Sequence, residues 1–368
     1  MATTSDVRGQ NRASVMRALL RRGTTTRAQL GADCGMSPAT IGRVVDDLLK
    51  ESLVELDETN GAGGVGRPLK NVRLDKTRPR FVVIEIGPRI TRLATSPTDF
   101  RSVEKWHSEH PTPTSAKEWK AWFPAAYTEL DLPGTPDLVA LSLPGIVDER
   151  NGRSLLSPNL HWVESFEFEA VIGGIAGAPV RLVQEVRALA RGFIMDAETP
   201  SSFLLVDFGT GLGAAAVING QLYQGALPLG GEIGHTPVDG HSLPCGCGGR
   251  GCLETIMGRR FLLARTEMED LSGFGKQIER TGLPPWFAER LDRTGEIIGG
   301  ALNTLGLNNV VLTGYFDSLP AEAIERLAQS IRESTLWARF GEVHVQRALR
   351  RRLVGLAATC LDHILDVV

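Results

Sequence analysis

Three of the five cysteines in this 368-residue chain lie within eight residues of one another, at Cys245, Cys247 and Cys252. The loop that holds them is rich in glycine, which permits the positive φ angles that wrap backbone around a metal ion. Three thiolates leave one tetrahedral position open, which His235 or His241 could fill, and a Cys₃His set of this kind suits zinc. The spacing therefore predicts a metal site, although Cys-x-Cys-x₄-Cys is not the common zinc-finger pattern.

A disulfide and three incidental thiols are the alternatives to a metal ion. A disulfide would leave one cysteine of the three over, and nothing in the composition points to an oxidising compartment. The other two cysteines, Cys34 and Cys360, lie in apolar helical patterns and are predicted to be core residues.

The stretch GGEIGHTPVDGHSLPCGCGGRGCLE, residues 230–254, resembles the signature of the ROK family, which groups sugar kinases with sugar-responsive transcriptional repressors. Similar features run from about Arg80 to the end of the sequence. The resemblance implies a structural zinc in a loop over residues 235–252, held by His235, Cys245, Cys247 and Cys252. It also implies that Glu232, His235 and Glu254 belong to a sugar pocket.

The same resemblance allows a comparison with the family's kinases. Residues 207–213 resemble their second phosphate turn, and residues 312–314 resemble their adenosine segment. Where those kinases have Asp-x-Gly-Gly-Thr, this chain has Glu-Ile-Gly-Pro-Arg at 85–89, and the proline removes an N–H and fixes φ. Where they have the Asn and the catalytic Asp, this chain has Gln184 and Glu185.

These two changes predict that the chain is not an enzyme. Glutamate is one methylene longer than aspartate, and a misplacement of about 1 Å can cost on the order of 100-fold in rate. Glu185 is then only a vestigial base. A sugar pocket is still expected, because each carboxylate can accept two hydroxyl hydrogen bonds, and its candidate residues are Asn159, Gln184, Glu185, Glu232, His235 and Glu254. Glu232 and Glu254 could instead only support the metal ligands.

The N-terminal residues predict a winged helix-turn-helix. Helices are expected over 10–22 and 27–33, and a third is opened by the cap residue Ser37 and by Pro38. Two strands and the tip between them would form the wing, at 53–56, 70–74 and 61–66. A small helical cap or dimerisation unit is the alternative. We expect residues 1–78 to form the DNA-binding domain and residues 79–368 to form the sensor domain.

Charge supports a nucleic-acid partner for the N-terminal part. Residues 1–80 hold 14 Lys and Arg against 9 Asp and Glu, whereas the rest of the chain holds 26 against 34. The exposed start of the third helix is the expected reading surface. The candidate DNA contacts are Ser37, Ala39, Thr40, Arg43, Arg67 and Lys70, of which the last two would contact backbone phosphate or the minor groove.

Residues after 80 alternate between strands and helices, which indicates an α/β fold. Strands are predicted at 81–86, 90–95, 101–107, 137–143, 180–183, 203–207, 214–218 and 221–223, with a hairpin turn at Asn219-Gly220. Helices are predicted at 116–130 and 346–364, the latter with Arg347 and Arg350–Arg352 on a solvated face or against a lobe. The resemblance implies two lobes of the actin-like, ribonuclease-H-like kind, with the ligand cleft between them.

We therefore expect a sugar-responsive DNA-binding regulator, foremost a repressor, that forms a homodimer or homotetramer. Its partners would be a double-stranded DNA operator and a sugar or sugar-phosphate effector, whose binding changes the lobe angle and the spacing of the paired recognition helices. The sequence has no stretch of 18 uncharged apolar residues, so we expect a cytoplasmic protein without a membrane partner. The alternatives are an ATP-dependent kinase of a hexose or amino sugar that uses Glu185 as base, and a constitutive DNA-binding protein with a non-functional pocket.

Overall fold

The computed structural model describes residues 4–57, 70–103, 105–195 and 199–366. The chain forms two compact units, and unit 1 consists of Met1–Ser142, Glu167–Arg181 and Leu356–Val368. Unit 2 consists of Leu143–Phe166 and Leu182–Gly355. The expected boundary after residue 78 falls inside unit 1 and stays a prediction.

The N-terminal part of unit 1 has three helices and a small antiparallel sheet. The helices are α1 (Thr4–Arg22), α2 (Arg27–Cys34) and α3 (Pro38–Lys50). The strands are β1 (Thr25–Thr26), β2 (Val54–Asp57) and β3 (Asn71–Leu74), in the order β1-β3-β2. Ile41, Val45 and Leu48 are buried on one face of α3, as their helical spacing predicts.

Short polar residues determine where α2 and α3 begin and end. The hydroxyl of Thr26 accepts the N–H of the third residue of α2 at 3.2 Å, and Gly35 ends that helix in the left-handed conformation at φ 62°. Ser37 caps α3 by accepting the N–H of Thr40 at 3.2 Å, and a proline occupies the first helical position. The local sequence thus builds the expected helix-turn-helix.

The rest of the chain alternates strands and helices. The strands are β4 (Phe81–Ile86), β5 (Ile90–Ser96), β6 (Ser108–Pro111), β7 (Leu138–Leu143), β8 (Ile146–Asp148), β9 (Arg153–Leu156), β10 (Val180–Gln184), β11 (Phe203–Phe208), β12 (Leu212–Ile218), β13 (Gln221–Leu222), β14 (Asn309–Gly314) and β15 (His344–Arg347). The helices are α4 (Ala116–Thr128), α5 (Phe168–Ala176), α6 (Glu185–Ile194), α7 (Glu254–Met257), α8 (Arg259–Thr266), α9 (Leu271–Thr281), α10 (Pro285–Leu305), α11 (Ala321–Ser334) and α12 (Arg352–Asp366).

Two five-stranded sheets organise these elements. One has the order β10-β7-β4-β5-β6, and the other has the order β13-β12-β11-β14-β15. Every residue of β11 is buried, and the strand reads Phe-Leu-Leu-Val-Asp-Phe because both faces of its sheet are covered. Since β11, β14 and β15 run parallel, their carboxyl ends meet at one edge of the sheet in unit 2.

The predicted strand at 101–107 is wrong. Phe100–Ser102 forms a 3₁₀ turn, and the strand β6 begins only at Ser108. The carboxylate of Asp99 accepts the Arg101 guanidinium at 2.7 Å and lies within reach of the Arg101 N–H at 3.4 Å. This local bonding favours a capped turn over an extended strand.

The single helix predicted over 346–364 is also wrong. Residues 344–347 form β15, and α12 begins only at Arg352. Val345 pairs in parallel register with Val310, so the strand depends on a partner far away in the sequence. The hairpin at Asn219-Gly220 is confirmed, with φ angles of 51° and 74° at its two central residues. None of the described helices is long and apolar enough to cross a membrane.

Ser37→Ala is expected to lower the free energy of unfolding by about 1 kcal/mol, because the N–H of Thr40 loses its acceptor. Ser37→Asp keeps an oxygen at the cap and is expected to retain the stability of the wild type. Urea unfolding followed by circular dichroism in the absence of DNA measures both. An equal loss in the two variants would contradict the capping role.

Candidate functional site

His235, Cys245, Cys247 and Cys252 come together in unit 2, with their ligand atoms all within 4.8 Å of one another. The Sγ of Cys245 lies 3.5 Å from Nδ1 of His235, and the Sγ atoms of Cys247 and Cys252 are 3.8 Å apart. All five cysteines are unbonded, so the disulfide alternative is wrong. Of the two candidate histidines, His235 completes the group.

The spacing of these atoms fits a tetrahedral metal ion. Metal–sulfur bonds of about 2.3 Å and metal–nitrogen bonds of about 2.0 Å would place two sulfurs about 3.8 Å apart and a sulfur and a nitrogen about 3.5 Å apart. The observed distances of 3.8 Å and 3.5 Å match two of the six edges of that tetrahedron, and the other ligand atoms lie within 4.8 Å of one another. The four side chains can therefore hold a metal ion with little rearrangement.

Glycines let the cysteine loop fold back on itself. Gly251 has φ 67°, and a Cβ there would lie 2.3 Å from the carbonyl oxygen of His241. Gly248 has φ 88°, and next to it the N–H of Cys245 donates to the oxygen of Gly249 at 2.9 Å. A side chain at Gly251 would collide with backbone, so the glycine pattern is a requirement of the loop.

Crowding separates the acidities of the three thiols. Burial raises the pKa of the Cys252 thiol to about 12, and it raises the pKa of the Cys245 thiol as well. Burial also opposes ionisation of Cys247, but the Gly249 N–H and the neighbouring thiols outweigh it and lower the Cys247 pKa. A bound cation would favour all three thiolates.

Gln184 and Glu232 meet beside the cysteine cluster. The side-chain amide of Gln184 donates to Oε1 of Glu232 at 2.8 Å, and Oε2 of Glu232 lies 3.7 Å from Nε2 of His235. Burial raises the pKa of Glu232 by more than the Gln184 hydrogen bond and the imidazole lower it. Because Nδ1 of His235 faces a thiol and Nε2 faces Glu232, the imidazole connects the metal cluster to the polar pair.

Glu254 holds the turn between β11 and β12. Its side chain accepts the N–H of Leu212 at 3.0 Å, and a Cβ at Gly211 would lie 2.6 Å from the same carboxylate oxygen. Glu254 is 9% exposed, so this hydrogen bond is shielded from water. The carboxylate thereby fixes the turn that resembles a phosphate turn to the end of the cysteine loop.

Asn159 and Glu185, the other predicted sugar contacts, lie elsewhere in unit 2. Asn159 is exposed in the loop after β9. Its neighbour Pro158 packs against the cysteine loop, since a Cβ at Gly246 would lie 2.6 Å from the Cβ of Pro158. Glu185 is the first residue of α6 and forms an ion pair with Arg352. Direct contacts connect three members of the predicted set, namely Gln184, Glu232 and His235.

A cavity of about 80 Å³, open to solvent, adjoins Gln184. Its polar lining consists of Asp148, Glu149, Arg150, Gln184, Arg187 and Gln224. Glu149 accepts hydrogen bonds from the Gln184 N–H and from Nε of Arg187, both at 3.0 Å. The cavity offers donors and acceptors together, as recognition of a polyhydroxylated ligand requires.

The buried carboxylate of Asp207 forms a second polar centre of unit 2. Arg350 donates to its two oxygens at 2.7 Å and 2.9 Å, and the hydroxyl of Thr313 donates at 2.7 Å. Arg352 lies 3.5 Å away. Burial opposes ionisation of Asp207, but the two guanidinium groups outweigh it and hold its pKa below the ordinary value.

Sequence analysis missed the role of Arg350. It placed this arginine on a helix, whereas the residue follows β15 and binds Asp207. The signal that could have found it is the short run Val343–Val345, which alternates apolar and polar residues as a strand does. A third parallel strand there would have brought Arg350 to the same sheet edge as Asp207.

The candidate DNA contacts on α3 differ in exposure. Ala39 and Arg43 are exposed, and Nε of Arg43 lies 3.4 Å from the oxygen of Ala39. The hydroxyls of Ser37 and Thr40 lie 2.9 Å apart within the helix cap, and Thr40 is half-buried. Of these four candidates, Arg43 is the one with a long polar side chain, and it is exposed.

The predicted wing contains the other two candidate DNA contacts, Arg67 and Lys70. Lys70 is exposed just before β3, and Arg67 lies outside the described residues, as does the glycine-rich tip. Much of the positive charge of the three-helix unit is paired with acidic side chains, in the pairs Arg8–Asp47, Arg12–Glu51, Arg22–Asp33 and Arg27–Asp46.

Comparison with known sequences finds one family and several relatives. The sequence profile of the ROK family matches residues 83–347. The putative xylose repressor of Caldicellulosiruptor sp. (strain Rt8B.4) is 27% identical over 267 residues, which are 69% of this chain and 65% of that relative, or less than two thirds of its length. The xylose repressor of Bacillus subtilis (strain 168) is 26% identical over 278 residues, covering 73% of this chain and 71% of the relative. The N-acetylmannosamine kinase of Haemophilus influenzae (strain PittEE) is 32% identical over 143 residues, covering 38% and 48%.

Solved structures confirm the fold class. A ROK family transcriptional regulator, described as a homolog of the E. coli MLC protein, has a TM-score of 0.80 at 19% identity and covers 98% of this chain and 96% of that chain. A ROK family glucokinase from Streptomyces griseus, solved with glucose and AMPPNP, has a TM-score of 0.58 at 19% identity and covers 78% and 98%. The α/β fold is thus of the predicted actin-like kind, and the N-terminal helices are consistent with a helix-turn-helix.

Cys252→Ser is expected to lose most of the bound metal, because a hydroxyl is a poor substitute for a thiolate in a tetrahedral sulfur-rich site. Mass spectrometry of metals in the purified protein should find about one ion per wild-type chain. Cys34→Ser, which lies outside the cluster, serves as the control and should keep the wild-type content. Equal metal content in wild type and Cys252→Ser would contradict the assignment.

Asp207→Asn is expected to reduce the loss of stability in acid. Because the folded-state pKa of Asp207 lies below the unfolded value of about 3.9, its ionised form stabilises the fold above that value. This contribution is lost as the pH falls through the folded-state pKa. Urea unfolding midpoints across the acid range measure it, with the exposed Asp317→Asn as control. The same pH dependence in wild type and Asp207→Asn would refute the role of this carboxylate.

Proposed function

This chain belongs to the ROK family, and from that premise we propose that it is a sugar-responsive transcriptional regulator, foremost a repressor. One observation carries the proposal. A single chain of this family combines an N-terminal helix-turn-helix with a cluster of polar side chains, Gln184, Glu232 and His235, whose donors and acceptors suit sugar hydroxyls. The names of two relatives, a putative xylose repressor and a xylose repressor, support it. The match to the first of them spans less than two thirds of its length, so the function is inferred and not transferred.

The N-terminal domain, residues 1–78, would bind operator DNA through α3. Arg43 is the foremost base-reading candidate, because a guanidinium can form two hydrogen bonds to the major-groove edge of guanine. Ala39 and Thr40 would lie beside it, and Ser37 would act mainly through its cap. Arg67 and Lys70 would contact the DNA backbone or the minor groove from the wing.

The effector would bind in the sensor domain, residues 79–368, at the cluster of Gln184, Glu232 and His235. The raised pKa of Glu232 and its place between an amide and an imidazole suit a group that exchanges internal hydrogen bonds for those of sugar hydroxyls. Glu254, Asn159 and Glu185 complete the proposed set. The adjoining cavity is open to solvent, and its polar side chains would contact the part of a sugar or a sugar phosphate that extends into it.

The metal would be zinc, in a structural role. Three thiolates and one imidazole fill all four tetrahedral positions, which leaves none for a substrate or a reactive water. The ion would supply a cross-link that holds His235 beside Glu232. The protein would form a homodimer or homotetramer, because paired recognition helices match paired operator half-sites. It would act in the cytoplasm, where operator DNA lies.

An ATP-dependent sugar kinase is the second candidate, favoured by the kinase among the relatives and by the carboxylate that remains at Glu185. The ion pair between Glu185 and Arg352 argues against it, because a guanidinium beside a carboxylate stabilises the ionised form and weakens it as a base. The degraded first phosphate turn at residues 85–89 argues in the same direction.

Fluorescence anisotropy with labelled DNA from upstream of the protein's own gene tests the proposal. Arg43→Ala is expected to weaken binding roughly 5- to 150-fold, corresponding to one bidentate base contact of about 1–3 kcal/mol. Lys276→Ala removes an exposed cation in unit 2 and serves as the matched control with unchanged affinity.

Titration with sugars and sugar phosphates forms the second arm of the same experiment. One ligand of the panel is expected to change the DNA affinity, and Glu232→Gln should shift that response to higher ligand concentration by about tenfold without changing DNA binding alone. Specific DNA binding that no sugar changes would indicate a constitutive regulator. Absence of specific binding, with sugar-dependent release of ADP from ATP, would establish the kinase instead.

A further inference from the structure

Three parallel strands bring Arg350 to the segments that resemble nucleotide-binding turns. We call residues 207–213 the phosphate-type turn and residues 312–314 the adenosine-type segment. In β11 and β14, Asp207 lies opposite Thr313 and Phe208 lies opposite Gly314, so these two segments are neighbours at one sheet edge. The third parallel strand, β15, ends at Arg347, and the chain then passes the same edge. In parallel sheets of this kind, ligands bind at the carboxyl ends of the strands.

The guanidinium of Arg350 fills the space between these two segments. A Cβ at Gly209, in the phosphate-type turn, would lie 2.6 Å from Nη2 of Arg350. A Cβ at Gly314, in the adenosine-type segment, would lie 2.1 Å from the carbonyl oxygen of Phe208 and 2.8 Å from the same Arg350 nitrogen. Both glycines therefore face an arginine of the same chain, in the position where a bound nucleotide would approach the backbone.

Asp207 holds the guanidinium in place. Nε and Nη2 of Arg350 each donate to one oxygen of this carboxylate, which leaves neither oxygen without a charged donor. Asp207 is 7% exposed, and Thr313 donates a further hydrogen bond to it. A bidentate pair of this kind fixes both the position and the plane of the guanidinium.

We propose that the side chain of Arg350 occupies the phosphate-type turn and thereby excludes nucleotides from unit 2. A nucleotide with its Mg²⁺ would have to displace two charge-assisted hydrogen bonds from a buried carboxylate. Because Arg350 is part of the same chain, its effective concentration at the turn is in the millimolar range or above, and a free nucleotide must compete with it. The proposal is independent of DNA binding and of the sugar effector.

The opposite role for Arg350 would be that of a phosphate ligand, since arginine binds phosphate well. The geometry disfavours this role, because the two nitrogens that form the fork are already used by Asp207. The two roles predict opposite effects of removing the guanidinium. Exclusion predicts a gain of nucleotide binding, and a phosphate ligand predicts a loss.

Isothermal titration calorimetry with ATP or AMPPNP and Mg²⁺ distinguishes the two roles. Arg350→Met removes the charge and the fork but keeps a long side chain. Arg347→Met is the matched control, since this arginine lies in the same segment and donates to the carbonyl oxygen of Leu319 instead. Wild type and Arg347→Met should show no saturable binding up to about 5 mM nucleotide, and Arg350→Met should bind with a Kd at least about tenfold below that limit.

Two results would overturn the proposal. Nucleotide binding by the wild type that Arg350→Met abolishes would make Arg350 a phosphate ligand. Failure of folded Arg350→Met to bind would show that other features exclude the nucleotide. If Arg350→Met does not fold, Arg350→Lys keeps a charge beside Asp207 while exposing the glycines, and it should show measurable binding that the wild type lacks.

Two further readouts separate this proposal from the proposed regulatory function. A melting temperature of the wild type that rises with Mg²⁺ and ATP would contradict exclusion without any variant. DNA affinity in the anisotropy assay should be the same in wild type and Arg350→Met, because the substitution lies outside the N-terminal unit. Absence of specific DNA binding by the wild type would refute the proposed regulatory function. It would not affect the test of nucleotide exclusion.

Discussion

The convergence of one imidazole and three thiols on a single point is the constraint on which the candidate effector site depends. The regular structure of residues 230–254 is a 3₁₀ turn at Ile233–His235 and the first residue of α7. Isolated β-bridges and turn hydrogen bonds, and no helix or sheet ladder, hold the rest of this loop. Fixing each of its residues costs about 1–2 kcal/mol of conformational free energy. Glu232 and Glu254 lie at the two ends of the loop, and a metal ion held by the four ligands would offset part of that cost. The cysteine spacing and the position of the two carboxylates are therefore linked through one loop.

Local signals in the sequence predicted most of what depends on neighbouring residues. Ser37 as helix cap, the hairpin at Asn219-Gly220 and the grouping of the three cysteines need only contacts within a few residues, and the structure contains all three. The contacts that the sequence did not predict join distant segments. β15 exists because Val345 pairs with Val310, and the carboxylate of Glu254 accepts the N–H of Leu212 from a turn far away in the sequence. The alternation over Val343–Val345 indicates a strand but not its partner, and nothing beside Glu254 indicates that its carboxylate meets the N–H of Leu212.

Formal charge overstated the positive surface of the N-terminal part. Ion pairs within the three-helix unit, such as Arg12–Glu51 and Arg22–Asp33, use charge that the sequence counts as available. Two arginines further along the chain, Arg80 and Arg101, donate instead to carbonyl oxygens of Glu51 and Leu20, at 2.6 Å and 2.7 Å. These arginines stabilise the unit internally. Within residues 4–57, the surface presented by α3 therefore depends on a few exposed side chains, of which Arg43 is one.

The pairing of Asp207 with Arg350 also bears on how this protein can change over generations. Loss of the arginine alone leaves a buried carboxylate with less of its neutralising charge, and loss of the aspartate alone leaves a half-buried guanidinium without its acceptor. Each single substitution is expected to cost more stability than the two together, so their effects on stability are non-additive. A lineage that replaces both residues would therefore open this turn at a smaller cost in stability than a lineage that replaces Arg350 alone.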